Sequence, residues 1–288
     1  MPLNFKDISD AYDAGQWRVA SWRKVPTQTT GSGIWFDLSM SPGNPIPNYY
    51  AAAPQIAIAL KRSTDVGLDH GQNVNALGMK KYLRTFMAQA VTATAVPLPM
   101  IIADYLMFYP FVDMSLVEVV PMTTEIALPR YPTGAGVRIL PVLVASQVGG
   151  AQFRIYYTNS AGVAGRVTPI VTCNTQVVNG TIVTSTPQTA GSTGPFMPLQ
   201  DDDKGVQLIE SVEFITGDVG LLALVLVKPL AAMHIYDITA PVEKDYLIQH
   251  NLMPEIKDDA YLNMICMPSG TLAAAPINGL IETCWTTN

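Results

Sequence analysis

The chain of 288 residues is 49% hydrophobic and only 14% charged, with a net charge of −6 and a pI near 5.0; an average soluble domain is about 25% charged. Such a composition excludes disorder as the main state, because a disordered chain combines low hydrophobicity with high net charge. The acidic balance argues against nucleic acid as a partner, and the scarcity of Glu, Lys and Arg against a coiled coil.

Read in chain order, Trp17 to Val25 alternates in part and predicts a strand, and Ile34 to Leu38 predicts a second. The segment Ser41-Pro42-Gly43-Asn44-Pro45-Ile46-Pro47-Asn48 is loop. Residues 1–30 are expected to form an N-terminal arm that lies on a neighbour's surface, and residues 31–288 the body. Met79, Leu83, Met87 and Ala90 recur at helical spacing behind a capping Asn75, which predicts a helix over about 77–90.

From Pro99 onward the pattern is β. Met100–Val112, Val137–Val144, Phe153–Tyr157, Val206–Ile215, Leu221–Val227, Ala232–Ile238, Tyr261–Met267 and Leu280–Trp285 all suit pleated, buried surface. Asn179-Gly180 between Thr172–Val178 and Thr181–Thr186 predicts a hairpin with a type I′ turn. Because strands do not alternate with helices, the expected fold is mainly β, an antiparallel, jelly-roll-like β-sandwich with one short helix and the extended arm.

No stretch suits a membrane span. Val219–Val227 is far shorter than the roughly 20 residues a bilayer needs, and Ala88–Ala103 is interrupted by Pro97 and Pro99. Lys6, Asp7 and Asp10 leave no apolar core for a secretion signal, so synthesis in the cytosol is expected. Cys173, Cys266 and Cys284 are widely spaced and odd in number, which predicts buried free thiols rather than a disulfide framework.

The search for chemistry finds little. No phosphate-binding loop or nucleophile elbow is present, and Gly134-Ala135-Gly136 lacks the third glycine of a dinucleotide fingerprint. His70, His234 and His250 are not at metal-ligand spacing. Asp69-His70 could serve as a base with its orienting acid, although a lone histidine near a turn is usually a hydrogen-bonding surface residue. Asp201-Asp202-Asp203 could offer oxygens to Ca²⁺, but a solvated turn explains it better. A glycosidase needs two carboxylates at a fixed separation, and neither Glu118 with Glu125 nor Asp104 with Asp113 is brought together by spacing. The expectation is therefore no enzyme, no cofactor and no metal.

Several strings resemble a family of tailed-bacteriophage virion structural proteins: Asp104-Tyr105-Leu106-Met107-Phe108-Tyr109-Pro110, Leu128-Pro129-Arg130-Tyr131-Pro132-Thr133-Gly134-Ala135-Gly136-Val137, Tyr157-Thr158-Asn159-Ser160-Ala161-Gly162, Gly194-Pro195-Phe196-Met197-Pro198-Leu199 and Leu224-Val225-Leu226-Val227-Lys228-Pro229-Leu230. The likeness runs from about His70 to the C-terminus and implies a place in the virion without attaching a role to any residue. A major shell subunit has a long spine helix, which is not legible here. A head decoration (cement) protein fits better, a homotrimer clamping neighbouring copies of the major capsid protein; a tail, neck or baseplate component and a jelly-roll shell subunit share the same logic. Trp17, Trp22 and Trp35 are the expected assembly contacts, since Trp is enriched at binding hot spots. A host-glycan adhesin or glycan-active enzyme is the reading from another class; it requires aromatic platforms beside polar groups in a cleft.

Overall fold

In a computed structural model, which describes residues 5–184, 194–250 and 252–287, the chain is an antiparallel β-sandwich built from three sheets. It opens with helix α1 (Phe5–Asp13) and strands β1 (Trp17–Lys24), β2 (Phe36–Asp37), β3 (Gly43–Asn44) and β4 (Ile58–Ala59). A one-turn helix α2 (Arg62–Asp65) precedes β5 (Lys80–Ala90), β6 (Leu98–Asp113), β7 (Val119–Pro121), β8 (Arg138–Ala145) and β9 (Gln152–Asn159). The short β10 (Arg166–Val167) and β11 (Val171–Thr172) follow, then β12 (Val206–Thr216), β13 (Leu221–Ile235) and β14 (Val242–Asp245). Helix α3 (Tyr246–His250) leads into β15 (Glu255–Ile256), β16 (Leu262–Cys266) and β17 (Ile277–Thr286).

The central sheet runs β2-β16-β6-β13-β8, with β4 also on β6. A terminal sheet runs β14-β5-β17-β1-β3, with β15 also on β5, and an outer sheet runs β10-β9-β12-β7, with β11 also on β9. The long β6 and β13 are the axis of the molecule. Met100, Ile102, Met233 and Ile235 pack with Trp22, Phe86 and Ile281 of the terminal sheet. Farther along the same two strands, Met107, Tyr109, Leu224 and Leu226 pack with Phe153, Ile155 and Val212 of the outer sheet. A third core gathers Tyr105, Phe108, Val225 and Val227 under the loop residues Met40, Tyr50 and Leu60.

Register shifts between β6 and β13 at Leu226/Val227 and Pro229/Ala231 change which residue parity faces which core. Such bulges re-aim a strand without ending it. They also explain why Leu221–Val227 and Ala232–Ile238 read as two strands although β13 is continuous through Pro229, a residue tolerated in strands at irregularities.

The helix expected over 77–90 is β5. Its buried residues are Lys81, Leu83, Phe86, Ala88 and Ala90, a period of two with one slip at Arg84-Thr85. The slip matches the bulge against Glu282/Thr283 of β17, and it stretches the apolar spacing to the three-and-four rhythm that mimics a helix. Asn75 caps nothing; its backbone N–H and that of Val74 both donate to the Asp258 carboxylate, at 2.8 Å each.

Within the segment 1–30 expected as an arm, residues 5–30 are not detached in this fold. Strand β1 pairs along its length with β17, and α1 lies on the terminal sheet through Ile8, Ala11 and Tyr12, an i, i+3, i+4 stripe. The Asn179-Gly180 turn exists, with the Thr181 N–H donating to the Val178 carbonyl at 3.1 Å. Only Gly180 takes a positive φ, +95°, so the turn is not type I′. After the turn Thr181 pairs with Phe36 and Ile182 with Val142, before it Thr172 pairs on β9, and the Asn174 N–H donates across to the Val183 carbonyl at 2.8 Å; Ser185 and Thr186 lie outside the described residues.

Candidate functional site

Two surface features could engage another molecule. The first is an open groove of about 580 Å³ where β1 begins. Trp17 and Arg18, the first residues of β1, line it together with Arg62, Asp69, Gln72 and Trp285. Arg18 donates from Nε and Nη2 to Asp69 Oδ2 at 2.8 and 2.5 Å. Arg62 donates from Nη1 to Asp69 Oδ1 at 3.1 Å and to the Gly71 carbonyl at 2.6 Å. The Gly71 N–H also donates to Asp69 Oδ1, at 3.0 Å. Hydrogen bonds and the two guanidinium charges hold the Asp69 carboxyl below its usual range, against the opposing effect of partial burial. Gly71 is required here for two reasons: its φ is +88°, and a Cβ would lie 2.7 Å from the Trp285 ring.

Trp17 is 42% exposed, and its indole stacks on Tyr12 with centroids 5.5 Å apart and planes 9° from parallel. Tyr12 is itself fixed: its hydroxyl donates to Glu282, and the Arg84 guanidinium lies 5.0 Å over its ring.

Behind the groove, His70 is fully buried. Its Nε2 lies 3.0 Å from the Ala260 carbonyl and its Nδ1 3.0 Å from Lys81 Nζ. A carbonyl only accepts, so Nε2 carries the ring proton and Nδ1 accepts from the ammonium. Burial, reinforced by Lys81 and Arg62, lowers the His70 pKa to about 3, and burial lowers that of Lys81 to about 8. Asp69 faces the arginines while His70 faces inward, so the expected acid–base dyad is not formed.

The second feature is an apolar tip. The Asp218 carboxylate accepts the backbone N–H groups of Val148 at 3.1 Å, of Gly149, and of Val219 at 2.7 Å. One carboxylate thus locks the loop after β8 to the loop before β13. Val148 (70% exposed), Val219 (57%) and Val117 (62%) project from this end, the last beside Gly217.

The remaining carboxylates of interest are committed to the fold. Asp37 is sealed in the core, accepting from Tyr50 at 2.5 Å, Tyr105 at 2.8 Å and the Ser39 hydroxyl at 2.6 Å. Asp104 pairs with Arg130, whereas Asp113 caps the turn at Ser115, nine residues and therefore about 30 Å along the same strand. Glu118 and Glu125 are exposed on either side of β7. Asp203, expected in a solvated turn, instead points inward: it accepts from Tyr157 and Asn159, each at 2.6 Å, and from Arg166 at 2.9 Å. Its oxygens are satisfied by protein donors, and no group of three or more metal-ligating side chains occurs among the described residues. All three cysteines are free and buried, with burial pushing the Cys284 thiol up to about 12. His234 and His250 are exposed, each stacked on a tyrosine, Tyr236 and Tyr246.

Of the three tryptophans expected as assembly contacts, only Trp17 is exposed. Trp22, 1% exposed, packs on Phe86 in the core and reaches no surface; Trp35 is half-buried against the third core. The groove and the tip were missed because neither has a local signature. Arg18, the Arg62–Asp69 pair and Trp285 come from three separate parts of the chain, and Val117, Val148 and Val219 are isolated valines in three loops.

No protein-family model matches the chain, and no curated protein matches it. Among solved structures, VP1 of Trichodysplasia spinulosa-associated polyomavirus, in complex with GM1 oligosaccharide, aligns at 12% identity over 95% of this chain and 96% of that one. The TM-score is 0.26, too low to indicate a shared fold. No helix among the described residues is long and apolar enough to cross a membrane.

Proposed function

We propose that this chain is a virion structural protein, and specifically a head decoration (cement) protein that works by burying surface against the major capsid protein and against copies of itself. The observation that carries this reading is the rigid valine tip. Exposed apolar groups held by a hydrogen-bonded carboxylate can be buried on association without first being ordered, which removes one of the main costs of binding. Each square ångström of apolar surface so buried contributes about 25 cal/mol, and a symmetric shell repeats the contact many times. The likeness of the β6, Arg130-loop and β13 strings to tailed-phage virion proteins supports the same reading.

The test is attachment to particles. Purified protein is mixed with undecorated phage heads and the bound fraction measured by sedimentation, for the natural chain and for Val148→Asp with Val219→Asp. The expected result is loss of attachment with an unchanged melting temperature. Full attachment of the double variant would overturn the role of the tip, and no attachment of the natural protein would overturn the decoration reading. Sedimentation of the free protein tests the trimer.

A further inference from the structure

We propose that the groove at the start of β1 is a binding site for a sugar that carries a carboxylate, an acidic monosaccharide unit such as a sialic or uronic acid. This inference is independent of the decoration reading and concerns the opposite kind of surface, polar and concave. Its volume, about 580 Å³, is that of a small-molecule site.

Charge sets the first requirement on the ligand. Two guanidinium groups share one carboxylate, Asp69, which leaves a net positive charge in the groove of a protein whose overall charge is −6. The bonds to Asp69 and Gly71 use Nε and Nη2 of Arg18 but only Nη1 of Arg62. Each guanidinium has five N–H donors in a fixed fork, so Nη1 of Arg18 and the Nε/Nη2 edge of Arg62 remain for an incoming anion. A planar carboxylate matches such an edge with two parallel hydrogen bonds.

Order sets the second. Asp69 holds both arginines, Gly71 closes the turn beneath it, and Tyr12 backs the Trp17 ring. The donors and the indole are therefore in place before a ligand arrives, which lowers the entropic cost of binding.

The indole sets the third. Trp17 offers apolar aromatic surface at the lip, while Gln16 and Gln72 add amide donors and acceptors along the same groove. A ligand with one apolar ring face, several hydroxyl groups and a carboxylate satisfies all three at once. Simple anions use the arginines and leave the indole idle; neutral sugars use the indole and leave the charge uncompensated.

The experiment is a ligand-observed and protein-observed NMR titration of the full chain with N-acetylneuraminic acid and with galacturonic acid, each compared with its methyl ester, with glucose and with acetate. Binding in about the millimolar range is expected for the acids, with a shift of the Trp17 indole signal. Affinity should fall roughly tenfold or more for the methyl esters and for Arg18→Ala, as loss of a charge-assisted hydrogen bond implies. Trp17→Ala should weaken the acidic sugars but leave acetate unchanged, and since both side chains are exposed, circular dichroism should report an intact fold for either variant. Equal binding of acid and ester, acetate binding as tightly as the sugars, or no shift at Trp17 at saturating sugar would each overturn the proposal. An acidic peptide that displaces the sugar and binds more tightly would overturn the assignment of the ligand class.

Discussion

Trp22 and Gly279 face each other across β1 and β17, and the indole occupies the space that a side chain on the glycine would need. A Cβ at Gly279 would lie 2.8 Å from Trp22 Cζ2 and 1.8 Å from the Met87 carbonyl oxygen on β5. Because β17 is clamped between β1 and β5, the backbone cannot move aside. Gly279→Ala is expected to cost at least about 3 kcal/mol, the upper part of the range for overpacking. Denaturant unfolding should show a lower midpoint with an unchanged slope; a midpoint equal to that of the natural protein would mean that the sheet yields here.

Acid should destabilise the protein through His70. Its pKa falls from 6.5 in the unfolded chain to about 3 in the fold, with Lys81, Arg62 and Asp69 as its charged neighbours. Between those values the unfolded chain binds a proton that the native one refuses, so this contribution is complete above pH 6.5 and declines as pH falls toward 3. The expected loss is on the order of a few kcal/mol. His70→Gln should flatten the dependence of stability on pH between 6.5 and 4, whatever it does to stability at pH 7. An unaltered slope would show that His70 is not the titrating group.

On the alkaline side the buried lysines act with the same sign as His70, stability rising with pH. Lys24 and Lys81 both have pKa values lowered to about 8 by burial, against 10.5 unfolded. Above pH 8 the unfolded chain holds protons that the native one has shed, so stability from these groups rises from about pH 8 toward 10. Beyond pH 10, Tyr50 and Tyr105, whose burial keeps their hydroxyls protonated, work in the opposite direction. Lys81→Met should remove part of the rise, measured as melting temperature against pH from 7.5 to 9.5.

Arg130 donates to Asp104 from Nε at 2.8 Å and Nη2 at 2.7 Å, and also to the carbonyls of Leu60 and Tyr105, each at 2.9 Å. Arg130→Met leaves the fully buried Asp104 carboxylate without its counter-charge and with the Tyr261 N–H, at 3.0 Å, as a donor, and it takes the guanidinium donors from two carbonyls. Removing one partner of a buried pair costs about 3–5 kcal/mol, and the variant is expected to lose that much in equilibrium unfolding. Arg130→Lys should recover only a fraction, because an ammonium cannot make the bidentate contact.

Asp218→Ala tests the rigidity of the tip. Three backbone N–H groups lose their acceptor. Since the site is half-buried and water replaces part of the loss, a global cost of about 1–2 kcal/mol is expected. Amide exchange at Val148, Gly149 and Val219 should accelerate well beyond that of the strands. Unchanged protection there would show that the loops are held by something other than this carboxylate.

Much of the architecture is legible in the sequence. Strands β1, β6, β12, β16 and β17 coincide closely with runs rich in β-branched and aromatic residues, and the absence of alternation with helices points to antiparallel sheets. What misleads is local irregularity. In β5 a single bulge at Arg84-Thr85 and a buried Lys81 turn a two-residue period into an apparent helical one. In the 172–184 region, Asn-Gly is a turn, but Thr181 and Ile182 after it find partners in β2 and β8 and Thr172 before it in β9, while the Asn174 N–H joins the two flanks by donating to the Val183 carbonyl at 2.8 Å. The candidate sites were less legible for a related reason. Trp22 and Trp17 lie five residues apart on one strand, and burial, which depends on what covers each face, divides them. Only the fold puts Arg18 beside Asp69 or Val148 beside Val219.

Tyr12 reaches Glu282 across 270 positions of chain, and β1 finds its partner β17 over a similar distance. During synthesis, then, the first strand emerges long before the one it must pair with. Until residues 277–286 are available, the backbone donors and acceptors along its β17 edge and the part of the Trp22 indole that lies over Gly279 remain without their native cover. Contacts so remote in sequence make folding slow, and an unpaired strand invites pairing with a neighbouring chain. The terminal sheet is thus a seam closed last, and a ribosome-bound chain stalled short of Ile277 should be the form most in need of a chaperone.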